Sequence, residues 1–125
     1  MGKILNIKFI LIIILSAILV LIAFTLAGKT NTASKEYLVV LNEEGFSPEN
    51  LTIRKGDVVK FSTIAKNPFW PTSDLHPTHE LYPEFDPTQP ISFDKNWSFK
   101  FEKAGIWKFH NHLAPSQRGT IKVEP

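Results

Sequence analysis

The chain has 125 residues, with 14 basic and 12 acidic side chains and no cysteine. This length leaves room for one domain, and the missing cysteine excludes disulfide bonds and thiolate metal ligands. Four lysines precede residue 36, whereas the chain from Glu36 onward holds ten basic and twelve acidic residues, a net charge of −2. The positive charge therefore belongs to the N-terminal part, and no basic stripe indicates nucleic-acid binding.

An uncharged apolar run lies near the N-terminus of the chain. It extends from Phe9 to Leu26, and its only polar residues are Ser16 and Thr25. Eighteen residues make roughly 27 Å of helix, close to the hydrocarbon thickness of a bilayer. The run predicts a transmembrane anchor over 9–27; small residues at its end leave cleavage as a signal peptide open.

The charges around this run predict its orientation. Lys3 and Lys8 come before it, which places residues 1–8 in the cytoplasm. A single-pass protein of the cell membrane then carries its domain on the outer face. Residues 28–35 are small and polar and predict a short tether. The predicted domain occupies 36–125.

The domain shows an apolar period of two, which is typical of β-strands. The strands are predicted at 37–41, 51–53, 58–61, 97–102, 106–109 and 120–123. Lys55-Gly56-Asp57 predicts a turn between the second and third of them. Short strands at this spacing favour an all-β sandwich.

The stretch 67–90 differs from its surroundings, because it holds six prolines and two histidines without sustained alternation. Long loops in small domains are usually functional or disordered. Trp70, Tyr82 and Phe85 make the segment too apolar for disorder. We expect a loop that packs onto the sandwich.

Two segments resemble the cupredoxin family. Residues 45–61 contain phenylalanine-serine-proline, a strand, a lysine-glycine-aspartate turn and a second strand. Residues 104–112, which end in histidine-asparagine-histidine, and 119–123 are similar to the closing hairpin of that family. The resemblance implies a cupredoxin-like Greek-key β-sandwich.

The same resemblance implies a departure at the metal site. Asn111 stands where the copper-ligating cysteine of the family is expected, and the only methionine is Met1. A blue-copper site needs a thiolate. A plastocyanin-like electron-transfer centre is therefore not expected.

All four histidines fall in two close pairs: His76 and His79, His110 and His112. Residues two apart on a strand share a face, so His110 and His112 are expected to point outward together, with Asn111 inward. The resemblance places His79 at the position of the first copper ligand. We predict His79, His110 and His112 as ligands, with His76 as a fourth or a supporting residue.

Neutral imidazoles suit Cu(II), Zn(II) or Ni(II), with the affinity order favouring copper. A carboxylate from Glu80, Glu84 or Asp86 is an optional further ligand. The leading hypothesis is a copper-binding protein that holds or transfers its metal outside the membrane.

Two alternatives stay open: a metal-free binding or assembly module, and a redox or oxidase role completed at a subunit interface. No serine–histidine–acid arrangement or phosphate-binding loop is apparent in the sequence, and a binding protein is favoured over an enzyme without an enzyme being excluded. A homo-oligomer and a redox or copper-transfer partner remain open.

Overall fold

The computed structural model describes residues 6–27 and 33–125, and the chain divides into two compact units, Met1–Ala33 and Ser34–Pro125. The first unit contains helix α1 (Ile7–Ala27). Among the residues whose side chains the structure describes, 6–22 and 33–125, no helix is long and apolar enough to cross a membrane. The anchor over 9–27 stays a prediction. Much of the predicted N-terminus 1–8 and tether 28–35 lies outside the described residues.

The second unit consists of eight β-strands in two sheets. Their bounds are β1 (Glu36–Leu41), β2 (Phe46–Ser47), β3 (Asn50–Arg54), β4 (Val58–Thr63), β5 (Pro71–Ser73), β6 (Trp97–Lys100), β7 (Gly105–Asn111) and β8 (Ala114–Glu124). One sheet has the order β2-β1-β4-β6 and the other β3-β8-β7-β5. The predicted β-sandwich is confirmed.

The sheets mix parallel and antiparallel pairs. β1 runs parallel to β4 and β3 parallel to β8, whereas β7 and β8 form the antiparallel hairpin that the sequence predicted. The turn at residues 55–57 carries the chain from β3 in one sheet to β4 in the other, with Gly56 at φ +91°. Glycine adopts this left-handed conformation without the steric cost that a Cβ brings.

Aromatic rings fill the space between the sheets. Phe61, Phe85, Phe101 and Phe109 are completely buried. Phe85 comes from the long loop, and its ring stacks on Trp97 at a centroid distance of 5.8 Å. Each such ring contributes about 1.5–3 kcal/mol through burial. The loop therefore packs onto the sandwich as predicted, and it also supplies part of the core.

Asp57 fastens the start of the domain to the turn between the sheets. Its side chain is buried, and its two oxygens accept hydrogen bonds from the backbone N–H groups of Lys35 and Arg54, each at 2.9 Å. Burial raises the pKa of this carboxyl, but the two hydrogen bonds and the charges of Lys35 and Arg54 outweigh burial and hold the pKa below its ordinary value.

Candidate metal centre

Strand β7 and the residue after it carry one histidine pair. Phe109 lies in the core, His110 faces the other side and is completely buried, and His112 is half-buried. A register shift against β8 falls between His110 and Asn111. The expected face is therefore correct for His110, but the side chain is buried and not open to solvent, because the segment after β5 covers this face of the strand.

The covering segment brings the other pair to the same place. The ring centroid of His76 lies 5.2 Å from that of His110 and 4.8 Å from that of His112. His79 lies 5.5 Å from His110 and 4.9 Å from His112. The four side chains, which we call the histidine cluster, differ in exposure: His76 is exposed and His79 is buried.

The ring nitrogens of the cluster have distances that suit one metal ion. His76, His110 and His112 each offer one nitrogen, and these three atoms lie within 4.8 Å of one another. His79 Nε2 lies 3.0 Å from His112 Nδ1. Nitrogens bound to one ion at about 2.0–2.1 Å are roughly 2.9–3.4 Å apart for angles of 90–109°. The His79–His112 separation falls in this range, whereas the nitrogens of His76, His110 and His112, a group of three that could hold an ion without His79, would have to draw closer than 4.8 Å.

Asp74 determines which nitrogen of His110 faces the cluster. His110 Nδ1 donates to Asp74 Oδ1 at 2.7 Å, and Arg118 Nη1 donates to Asp74 Oδ2 at 2.8 Å. With the proton on Nδ1, Nε2 is an acceptor. This Nε2 is the only buried side-chain nitrogen or oxygen without a hydrogen-bond partner among the described residues. A lone pair buried in this way fits a metal ligand.

Asp86 supports His79 in the same manner. His79 Nδ1 lies 2.6 Å from Asp86 Oδ2, and Asp86 Oδ1 accepts hydrogen bonds from Trp70 Nε1 at 2.8 Å and from the Thr88 N–H at 2.7 Å. The Trp70 ring also packs against His112 at a centroid distance of 4.6 Å. These contacts leave His79 Nε2 directed towards His112.

The surroundings favour uncharged imidazoles on the strand side. Burial lowers the pKa of His110, and burial together with the nearby His79 and His76 outweighs the opposing attraction of Asp74. Burial, followed by the nearby His79 and His76, lowers the pKa of His112. Because a metal binds the deprotonated ring, both shifts favour ligation at neutral pH.

Asn111 has a structural part in this site. Its side-chain oxygen accepts hydrogen bonds from the N–H groups of Trp70 at 2.9 Å and Leu113 at 3.3 Å, and its amide nitrogen donates to Gln117 at 2.8 Å. The amide thereby joins the end of β7 to two neighbouring segments. Its correspondence to the cysteine of cupredoxins stays a prediction.

The three carboxylates suggested as optional ligands have different places. Asp86 contacts the cluster through His79, whereas Glu84 is exposed and forms an ion pair with Lys103 at 2.9 Å. Glu80 is also exposed.

Two residues of the site were not predicted from the sequence. They are Asp74, which is 36 positions from His110 in the chain, and Arg118, which donates a hydrogen bond to Asp74. No local motif announces either residue, because their contact depends on the pairing of β5, β7 and β8.

The fold and the site together define a small β-sandwich with an imidazole-rich centre at the end of β7. No family model matches the chain, and no curated protein gives a significant match. Solved structures do match. A purple cupredoxin from Nitrosopumilus maritimus has 20% identity over 70% of this chain and 98% of its own, with a TM-score of 0.59.

Two further groups of structures agree with this match. A reduced variant of amicyanin has 19% identity over 75% of this chain and 87% of its own, with a TM-score of 0.62. A variant plastocyanin from a fern has 20% identity over 70% of this chain and its whole length, with a TM-score of 0.58. The domain therefore has the cupredoxin fold, as the sequence resemblance predicted.

Proposed function

We propose that this protein binds a copper ion through the histidine cluster and holds or transfers it. The ligands are His110, His112 and His79, with His76 completing the set from the exposed side. The observation that carries the proposal is the buried His110 Nε2, which has no hydrogen-bond partner among the described residues and lies beside the other imidazoles.

The chemistry of the donor set supports copper. Imidazole nitrogens without thiolate or thioether bind Cu(II) more strongly than the other divalent first-row metals. The fold neighbours support the same metal, since amicyanin has been solved in a Cu(I) form. The missing cysteine means that the bound ion lacks the thiolate ligation of a blue-copper centre.

We also propose that residues 9–27 anchor the protein in the cell membrane, with the domain on the outer face. The support is the uncharged apolar run from Phe9 to Leu26, preceded by Lys3 and Lys8. Over residues 7–22 the helix exposes its large apolar side chains, among them Phe9 at 64% and Leu15 at 63%, which suits a lipid surrounding.

If the domain were a metal-free binding or assembly module, its histidines would be expected to lie apart and to titrate independently. The convergence of all four rings, with centroids 4.8–6.2 Å apart where they pair, favours the metal-binding proposal instead. A redox or oxidase role completed by a second copy stays a hypothesis, which the oligomeric state of the copper-loaded chain tests.

A copper titration of the full chain in detergent tests the proposal. We expect the chain to bind one Cu(II) ion. Its electron paramagnetic resonance spectrum should indicate several nitrogen ligands, and its optical spectrum should lack the intense absorption of a copper–thiolate bond. The double variant His110→Ala, His112→Ala should lose this binding, whereas Asp94→Asn, an exposed change, should retain it. Equal binding by the double variant would refute the proposal.

A further inference from the structure

Two carboxylates stand behind the histidine cluster. Asp74 and Asp86 contact the rear nitrogens, Nδ1, of His110 and His79 at 2.7 and 2.6 Å, and the front nitrogens remain directed into the cluster. Both carboxylates are largely withdrawn from solvent, with side-chain exposures of 9% for Asp74 and 16% for Asp86. Their charges are therefore weakly screened.

The charges around the cluster do not cancel. Arg118 is the only lysine or arginine that forms an ion pair with either carboxylate in the described part of the chain. Its side chain is 52% exposed, so solvent screens its charge more than that of Asp74. Two carboxylates and one guanidinium leave a net negative charge behind the imidazoles.

We infer that the histidine cluster binds its ion more strongly in the divalent than in the monovalent state. Asp74 is a positioning residue whose negative charge favours the divalent ion, and the positive charge of Arg118 weakens this preference. This inference rests on the proposed function. The extra positive charge of Cu(II) relative to Cu(I) is attracted by a carboxylate on the far side of the imidazole ring. Carboxylates in this position typically change metal affinity by about 10–100-fold.

Two variants of the full chain separate this electrostatic effect from a structural one. Asp74→Asn removes the negative charge; with its oxygen towards His110 Nδ1, its amide nitrogen takes the place of the oxygen that accepts from Arg118. Arg118→Gln removes the positive charge on an exposed side chain. The measurement is the affinity for Cu(II) and for Cu(I), each by competition with a chelator of known strength, and Asp94→Asn is the control.

We expect Asp74→Asn to weaken Cu(II) binding by about 10–100-fold and to leave Cu(I) binding within about threefold. Each tenfold fall in the ratio of Cu(II) affinity to Cu(I) affinity raises the reduction potential of the bound ion by about 59 mV. Arg118→Gln should shift the ratio in the opposite direction, by roughly 2–10-fold because its charge is screened.

The outcomes distinguish this inference from the proposed function. If the unaltered chain binds copper but both oxidation states weaken together in Asp74→Asn, and Arg118→Gln leaves the ratio unchanged, the carboxylate is only structural and the inference is overturned. If the unaltered chain binds neither ion, the proposed function falls and the inference falls with it.

Discussion

Replacing Asp57 by asparagine should destabilise the domain by about 1.5–3 kcal/mol at pH 7, the range for hydrogen bonds to a charged group. The carboxylate accepts one backbone hydrogen bond on each oxygen, from Lys35 and Arg54. Asparagine keeps one acceptor and turns an N–H₂ donor towards the other backbone N–H. Urea unfolding should show a midpoint lowered by about 1 M, given a slope of roughly 2 kcal/mol per M.

The effect of this substitution should depend on pH. The folded-state pKa of Asp57 lies below its ordinary value, so the unfolded chain takes up the proton first as the pH falls. The contribution of the carboxylate is fully present above the unfolded pKa of about 3.9 and is lost as the pH falls through the folded-state pKa. The stability difference between Asp57 and the asparagine variant should therefore shrink below about pH 4.

The matched control is Asp94→Asn. The Asp94 side chain is 57% exposed, so this change should stay within about 0.5 kcal/mol. An Asp57→Asn variant as stable as the unaltered chain at pH 7, or one whose deficit grows on acidification, would refute this account of the turn.

Three further predictions concern the core and the site. Gly119→Ala should cost about 1–3 kcal/mol in urea unfolding, because a Cβ at this position overlaps the ring of Phe109; an unchanged midpoint would contradict that packing. Phe85→Ala should cost about 3–5 kcal/mol and weaken copper binding as well, since Phe85 holds the loop on the core; loss of neither would contradict its role. Copper affinity should fall on acidification, because protons compete with the ion for the imidazoles, and the lowered pKa values of His110 and His112 move this fall towards more acidic pH; an affinity that is unchanged between about pH 7.5 and 5 would contradict ligation by histidine.

The sequence pattern predicted the longer strands well, because their alternation records which side faces the core. It missed β2 and β5, which are two and three residues long. Pro71-Thr72-Ser73 has no apolar alternation and becomes a strand only through its pairing with β7. β8 also begins at Ala114, earlier than predicted, because the hairpin with β7 imposes the extended conformation.

Only part of the candidate site was predicted from the sequence. The resemblance and the spacing of the histidines brought His76, His79, His110 and His112 together correctly, and their role as metal ligands stays a prediction. The alternation along β7 predicted that His110 lies on the opposite face from Phe109. It did not predict that His110 is buried, because the segment that covers it lies more than thirty residues earlier in the chain. Asp74 was missed for the same reason.

X-ray absorption at the copper edge of the loaded full chain tests the central claim most directly, because it reports the atoms bound to the ion. The proposal predicts a first shell of nitrogen with the scattering of three or four imidazole rings and no sulfur. Scattering from at most one imidazole ring would contradict a site formed by the histidine cluster.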